Sequence, residues 1–534
     1  MKRHGAGGLR GPAMAVLLMV LAACGGGGSA SGAYSDAVEA LANQCAPDNP
    51  FVRDAQGQPS VPFRPGSRMH ELRFMRAYLN EAYLWRDEMP AVDPDAPVFQ
   101  QEPFAQGLLN YFQASLSPAL TPGGQRKDRF SSFWATGYWK AVGEAGKALN
   151  FGIEFVRTTA IAPLDIRAAL VHDGSPAGKA GVLRGERLLQ IETVDGRRID
   201  VVNATAEADL ALMTQLLAPN VPEQRVVMVF EKADGSHRRV TLASTQYVEP
   251  PVSAMRVLTA ADGAKVGYLF INAFALPLEG AMQKAFERLK AEGVRDLVVD
   301  LRYNGGGYVY QASQLAYMVA DPALSKGRIF ERLQYNSLRQ ADTDADGSRV
   351  SFQGTTSGGR GTGTAAGQAL PSLGLKRVYV LTGPGTCSSS ESFINGLRGI
   401  DVEVVMIGGT TCGKPFGSMP RENCGLTYLP IEFTGYNDKG QGDYVDGIEP
   451  TCKVADVFGK GTHTLGDPKE RLLSVALLHR QTGQCGAVTL AGASGGGSTK
   501  GVEGSAGDGQ DASGAGAWLV RPPIRQNRIW QEPR

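Results

Sequence analysis

The strongest constraint on this chain lies between residues 378 and 414. Val378-Tyr379-Val380-Leu381 is a short apolar run of β-branched and aromatic residues, suited to a buried strand, and Gly383-Pro384-Gly385 forces a sharp turn behind it. Phe393, Ile394 and Leu397 then recur at helical spacing, so Ser388, Ser389 and Ser390 fall where strand passes into helix. Val402 to Ile407 is a second buried strand, and Gly408-Gly409-Thr410-Thr411-Cys412-Gly413 leads from it to Lys414. Another amphipathic helix, marked by Ala281, Met282, Ala285, Phe286 and Leu289, lies between strands further upstream, so the order is alternating α/β.

This arrangement suits acyl transfer. A strand-to-helix turn presents unpaired N–H groups and the positive end of a helix dipole to an oxyanion forming beside the serines. A serine hydroxyl needs a base, and a lysine serves as one where burial or neighbouring cations bring its pKa towards neutrality. The plain alternative is a polar helix cap and a solvated Lys414. A second segment bears on the choice. The strand Val294 to Arg302 runs into Tyr303-Asn304-Gly305-Gly306-Gly307 ahead of a helical stretch, Ala312 to Val319. Consecutive glycines let a backbone approach substrate closely and point N–H groups at it. The phosphate-loop pattern GxxxxGK[ST] is absent.

Together these segments resemble the C-terminal processing peptidases, or tail-specific proteases. The family's Asp-Leu-Arg-x-Asn-Gly-Gly-Gly, Ser-x-Ser-Glu and Gly-Lys stand here, in order, as Asp300 to Gly307, Ser388 to Glu391 and Gly413-Lys414. Asp443 to Pro450 and Leu465 to Pro468 also look like the family's C-terminal part, and the resemblance covers roughly residues 70 to 480. It implies a serine peptidase on a ClpP/crotonase-like α/β core, with Ser388 as nucleophile and Lys414 as general base. Ser390 is the reserve nucleophile, because three serines are adjacent. The oxyanion donors would be the backbone N–H of Ser389 and one from the Gly305, Gly306, Gly307 loop. Many members carry a glutamine four residues after the lysine, where it orients the amine; that position is Ser418 here. No cofactor and no metal is implied.

Upstream, Asn150 to Phe155 followed by Gly174 to Ile191, with its Ser-Pro-Ala-x-x-Ala-Gly segment, resembles a PDZ domain of the bacterial protease type. In that fold a peptide C-terminus adds to a sheet edge and backbone N–H groups hold its carboxylate, which implies Phe151, Gly152 and Ile153 as the carboxylate loop. At the N-terminus, Lys2, Arg3 and Arg10 precede an apolar stretch, Ala13 to Ala23, shorter than a typical membrane span. Leu21-Ala22-Ala23-Cys24 resembles the lipobox of bacterial lipoproteins, which implies lipidation of Cys24; a plain cleaved signal is the runner-up.

The expected organisation is therefore mixed α/β (α+β) and multidomain. It comprises a signal peptide over 1–24, a tether over 25–34, a small helical domain over 35–147, a PDZ-like β-rich domain over 148–248, the peptidase core over 249–485 and a Gly/Ser-rich disordered tail over 486–534. Leu72, Met75, Leu79, Ala82 and Tyr83 mark an amphipathic helix in the first folded part. The aromatic residues of that part read as core. At 534 residues and 43% hydrophobic content the chain has material for about three domains. A net charge of +1 gives no reason to expect nucleic acid as a partner.

Beyond Cys24 stand Cys45, Cys387, Cys412, Cys424, Cys452 and Cys485. An even count in an exported chain suggests disulfides; Cys412 with Cys424, or Cys45 with Cys485, are the first expectations. Cys387 beside Ser388 is a possible thiol nucleophile, and His463 or His479 could complete a Ser-His-Asp triad. Asp342 to Gly347 matches the start of a calcium loop, but its twelfth position is Gln353 where a glutamate is wanted, so an acidic surface turn is the preferred reading. The function expected is an exported, lipid-anchored serine endopeptidase of the bacterial cell envelope, on the periplasmic side of the outer membrane, with protein substrates bound by their C-terminal tails. The alternatives are a catalytically weak peptide-binding or scaffold lipoprotein and a carrier of hydrophobic ligands on the same fold.

Overall fold

The computed structural model describes residues 34–54, 57–159, 161–219, 222–486 and 518–519. Cys24, the signal and tether, and the Gly/Ser-rich stretch 492–516 lie outside the described residues.

The half of the chain that carries the serine and lysine turns is built on a six-stranded sheet in the order Val252–Thr259, Lys265–Ile271, Asp296–Asp300, Arg377–Thr382, Glu403–Gly408, Cys452–Lys453. Only the first pairing is antiparallel; the rest run parallel. Parallel strands need cover on both faces, which is why they read as nearly continuous apolar runs. Their alternation is clear in the packing. Leu269, Leu297, Val299, Val378, Val380 and Met406 face the helices Leu278–Ala291, Val309–Val319 and Ser389–Gly399. Tyr268, Phe270, Val298, Tyr379, Leu381, Val405 and Ile407 face the helix Arg471–Thr482. The two glycine-terminated strands of the sequence thus lie side by side, in register from Arg377 opposite Glu403 to Thr382 opposite Gly408.

The helices Arg68–Ala82 and Phe104–Ser115 carry the N-terminal aromatics inward, as core. That core is shared: Phe74, Tyr78 and Phe112 pack with Phe416, Leu426, Tyr428 and Ile431 from beyond the lysine turn. The strand Ser132–Ala135 pairs directly with Leu426–Leu429.

The PDZ-like region forms its own sheet and core around Phe155, Ile166, Leu188, Ile191, Val226, Met228 and Phe230. Trp518–Leu519 pairs antiparallel with the strand Ile153–Arg157 at the edge of this sheet. A buried charge network joins the region to the catalytic sheet. Arg184 donates to Ala169 O and, at 2.7 Å, to the Tyr303 hydroxyl, and pairs with Asp456 at 2.8 Å. Arg302 pairs with Asp300 at 2.9 Å and Glu470 at 2.8 Å.

The disulfides are Cys45–Cys424, Cys387–Cys412 and Cys452–Cys485. Both pairings expected from the sequence are corrected. The parallel sheet and the shared N-terminal core set each cysteine beside a partner distant in the chain, and Cys424 lies beside Cys45, 379 residues away. The calcium-loop start is a helix, Gln340–Asp344, in which Asp342 pairs with Arg339 at 2.6 Å and Asp344 accepts from Gln340 at 3.0 Å. No described helix is long and apolar enough to cross a membrane.

Candidate active site

Ser388 caps the helix Ser389–Gly399 with φ +62° and ψ −118°, a conformation that L residues other than glycine seldom adopt. The preceding Gly-Pro-Gly turn and the parallel strand set the bend, so Ser388 occupies a sharp strand-to-helix turn. It is fully buried, and among the described residues its Oγ takes no hydrogen-bond partner. Gly306 packs against it so tightly that a Cβ there would lie 2.6 Å from the Ser388 Cβ and 3.0 Å from its Oγ.

The neighbouring serines are engaged. Ser389 Oγ donates to Gly307 O at 2.7 Å, and Ser390 Oγ donates to Asn304 O at 3.0 Å. As the first residue of its helix, Ser389 has no intrahelical acceptor for its N–H. In the glycine loop the Gly306 N–H is already given to Asn304 Oδ1 at 2.9 Å. Gly305 and Gly307 are the other backbone donors of this loop. Asn304 anchors the whole loop: its O also accepts Cys387 N–H at 3.1 Å, and its Nδ2 donates to Ile271 O at 3.1 Å.

Glu391 organises the site, a role not read from the sequence although the residue belongs to the quoted motif. Its carboxylate accepts Ser388 N–H at 2.8 Å, Gly413 N–H at 2.8 Å, Lys414 N–H at 2.9 Å and the Thr411 hydroxyl at 2.6 Å. One buried side chain therefore binds the serine turn to the lysine turn. Burial pushes its carboxyl up from the usual range, while these donors pull it down. The Cys387–Cys412 bridge makes a second tie between the same two turns, and it removes Cys387 as a thiol nucleophile.

Lys414 is 1% exposed, with Nζ 5.0 Å from the centroid of the Phe130 ring. Gly413, at φ +82°, must be glycine: a Cβ would sit 2.3 Å from Val445 O. Arg129 donates to Cys412 O at 3.0 Å, Gly413 O at 3.4 Å and Val445 O at 2.9 Å. Burial lowers the Arg129 guanidinium pKa, and Glu391, Asp446 and Asp128 oppose that shift. Ser418, at the glutamine position, is buried and donates to Leu429 O at 3.3 Å.

The triad alternatives find no support. The His479 ring lies 5.9 Å from the Tyr379 ring, on the sheet face opposite the serine helix, and His463 lies 3.3 Å from Asp467. The sheet itself separates His479 from Ser388.

Phe151 and Gly152 precede, and Ile153 opens, the strand Ile153–Arg157, which lies on a different sheet from the serine and lysine turns and carries the Trp518–Leu519 pairing at its other end. Gly152 has φ +79°, and a Cβ there would lie 1.9 Å from the Ser175 Cβ. Its N–H is donated to Asn150 Oδ1 at 2.8 Å.

Residues 265–454 match the model of Peptidase family S41. The chain is 28% identical over 186 residues to a chloroplastic C-terminal processing peptidase of Tetradesmus obliquus, covering 34% of this chain and 38% of that protein. It is 25% identical over 213 residues to a carboxyl-terminal-processing protease of Picosynechococcus, covering 38% and 47%. The chain thus spans less than half the length of these relatives. A crystal structure described as an S41 protease from Bacteroides fragilis superposes with a TM-score of 0.56 at 21% identity, over 79% of this chain and 99% of that one, and so shares its fold. Motif, family match and fold converge on one assignment: this chain carries a domain of Peptidase family S41, the family of the C-terminal processing peptidases, over residues 265–454.

Proposed function

We propose that this protein is a serine endopeptidase in which Ser388 is the nucleophile and Lys414 the general base. The observation that carries the reading is the joint suspension of both residues on Glu391, with the Ser388 hydroxyl unpartnered among the described residues and the lysine buried. Burial disfavours the charged form of an amine, which suits a base. Lys414 Nζ takes the proton from Ser388 Oγ as the oxygen bonds to the scissile carbonyl carbon. The N–H groups of Ser389 and Gly305 receive the oxyanion. Collapse breaks the C–N bond, and the Lys414 ammonium returns its proton to the leaving amine. Water then attacks the acyl ester, giving its proton to Lys414, and the acid product leaves with Ser388 reprotonated.

The PDZ-like region supplies the docking edge for substrate C-terminal tails, at Phe151, Gly152 and Ile153. Relatives named for carboxyl-terminal processing support this substrate class. Three disulfides support an oxidising, exported location, with Cys24 as the lipid anchor. The alternative, a peptide-binding lipoprotein of weak activity, is favoured by one observation: Ser418, whose hydroxyl is given to Leu429 O, stands where the family's lysine-orienting glutamine would be.

The test is cleavage of an unfolded reporter protein bearing an apolar C-terminal tail. Wild type should cleave it. Ser388→Ala and Lys414→Ala should each lose about 10³-fold or more in kcat, since members of a catalytic unit fail together. Ser390→Ala should keep most activity. Absence of cleavage by wild type across several tails, with tail peptides still bound, would select the binding reading.

A further inference from the structure

The turn that delivers Lys414 is gripped on both edges by opposite charges. In the Cys412–Gly413 peptide the carbonyl accepts from Arg129 and the N–H donates to Glu391; in the Gly413–Lys414 peptide the same division repeats. Glu391 belongs to the serine helix. Arg129 comes from a different part of the chain, the segment that leads into the strand Ser132–Ala135.

That segment is itself fixed at both ends. Asp128 accepts the Tyr83 hydroxyl at 2.6 Å and the N–H groups of Phe130 and Ser131 at 3.1 and 2.9 Å. Ser131 Oγ accepts Ile431 N–H at 2.9 Å, and the following strand is paired with Leu426–Leu429. Between these anchors the Arg129 guanidinium carbon lies 4.5 Å from the Phe130 ring centroid, and Lys414 Nζ lies 5.0 Å from the same centroid. The Phe130 ring therefore bounds the space open to the buried Lys414 amine on one side.

From this geometry we infer that Arg129 is a positioning residue for Lys414: it fixes the two peptide planes that aim the lysine, while Phe130 seats the amine, so the N-terminal region completes the catalytic site. The inference rests on the reading of Lys414 as the base. Val445 O, which also accepts from Arg129, packs against Gly413 and closes the turn from the third side. Lysine cannot replace Arg129 fully: Nη2 alone donates to the three carbonyls of the turn while Nη1 holds Arg126 O at 3.1 Å, and a single ammonium that reaches the turn gives up that second anchor.

The experiment compares full-length wild type, Arg129→Ala, Arg129→Lys, Phe130→Leu and Lys414→Ala. It reads kcat and KM on the unfolded reporter, the rate of Ser388 labelling by a fluorophosphonate probe, and cooperative thermal unfolding as the folding control. Arg129→Ala should lower kcat and labelling about a hundredfold with KM changed by less than about twofold, as expected for a misaimed base rather than a lost docking site. Arg129→Lys should recover part of that loss, and Phe130→Leu should fall between. If Arg129→Ala does not fold, Arg129→Lys and Phe130→Leu carry the test with the same kcat-against-KM split. Folded Arg129 and Phe130 variants with wild-type kcat and labelling, beside an inactive Lys414→Ala, would overturn this inference and leave the serine-lysine reading standing. Full activity in Lys414→Ala would overturn both.

Discussion

The backbone of Ser388 costs of order 1–3 kcal/mol in its positive-φ conformation, and it persists because Glu391 and the Cys387–Cys412 bridge over-determine the turn. Glu391 shows how one carboxylate can satisfy three backbone N–H groups that would otherwise be stranded in a buried turn. A different buried carboxylate gives a pH signature. Glu71 accepts Ala46 N–H at 2.7 Å and Asn49 Nδ2 at 3.0 and 3.1 Å, and burial pushes its carboxyl up to about 7. The folded state therefore holds a proton that the unfolded state releases above about 4.5, the usual glutamate range. The stability this confers is fully present below about 4.5 and is lost as pH rises through about 7, a change of about 3 kcal/mol. Urea midpoints measured at pH 5 and pH 8 should show this decline in wild type and a smaller one in Glu71→Gln.

At the scale of elements, the strand-helix-strand unit was legible because its signals are local: apolar runs, a Gly-Pro-Gly turn and helical spacing. The Cys387–Cys412 bridge was not, although it joins the two ends of that same unit. Spacing along the chain says nothing of which turns meet at the end of a sheet. The bridge spans 25 residues, and the chain-entropy account gives it about 3 kcal/mol. A Cys387→Ser, Cys412→Ser double variant should lose about that much in urea unfolding. It should keep substrate KM if tails dock as proposed at Phe151 to Ile153, which lie by another sheet. Loss of kcat without loss of stability would show instead that the bridge serves alignment alone.

Across the whole molecule, the long-range ties are a disulfide, a shared core and a charge network. Cys45–Cys424 and the packing of Phe74, Tyr78 and Phe112 on Tyr428 make the N-terminal helices part of the catalytic body. Arg184 joins the PDZ-like sheet to Tyr303, the residue that precedes the Asn-Gly-Gly-Gly loop. Its side chain is 6% exposed, so truncating it removes one buried partner of Asp456, which keeps Arg302 at 3.3 Å and the Tyr303 hydroxyl. Breaking a buried pair from one side costs about 3–5 kcal/mol. Arg184→Ala should therefore lose stability by less than that, because Arg302 still pairs with Asp456, and the loss should appear as a lower urea midpoint by circular dichroism and by intrinsic fluorescence.

The sequence by itself determined the local pieces: which runs are strands, where the serine turn falls, which glycines must bend, and the order of Asp-Leu-Arg-x-Asn-Gly-Gly-Gly, Ser-Ser-Ser-Glu and Gly-Lys. Those depend on side-chain periodicity and backbone freedom, which act over a few residues. Tertiary structure alone decided the cysteine pairs, the use of the Gly306 N–H by Asn304, the central place of Glu391 and the grip of Arg129 on the lysine turn. Each of those is a contact between segments set side by side by sheet order and a shared core, and residues 129 and 414 become neighbours only after the strand Ser132–Ala135 has paired with Leu426–Leu429.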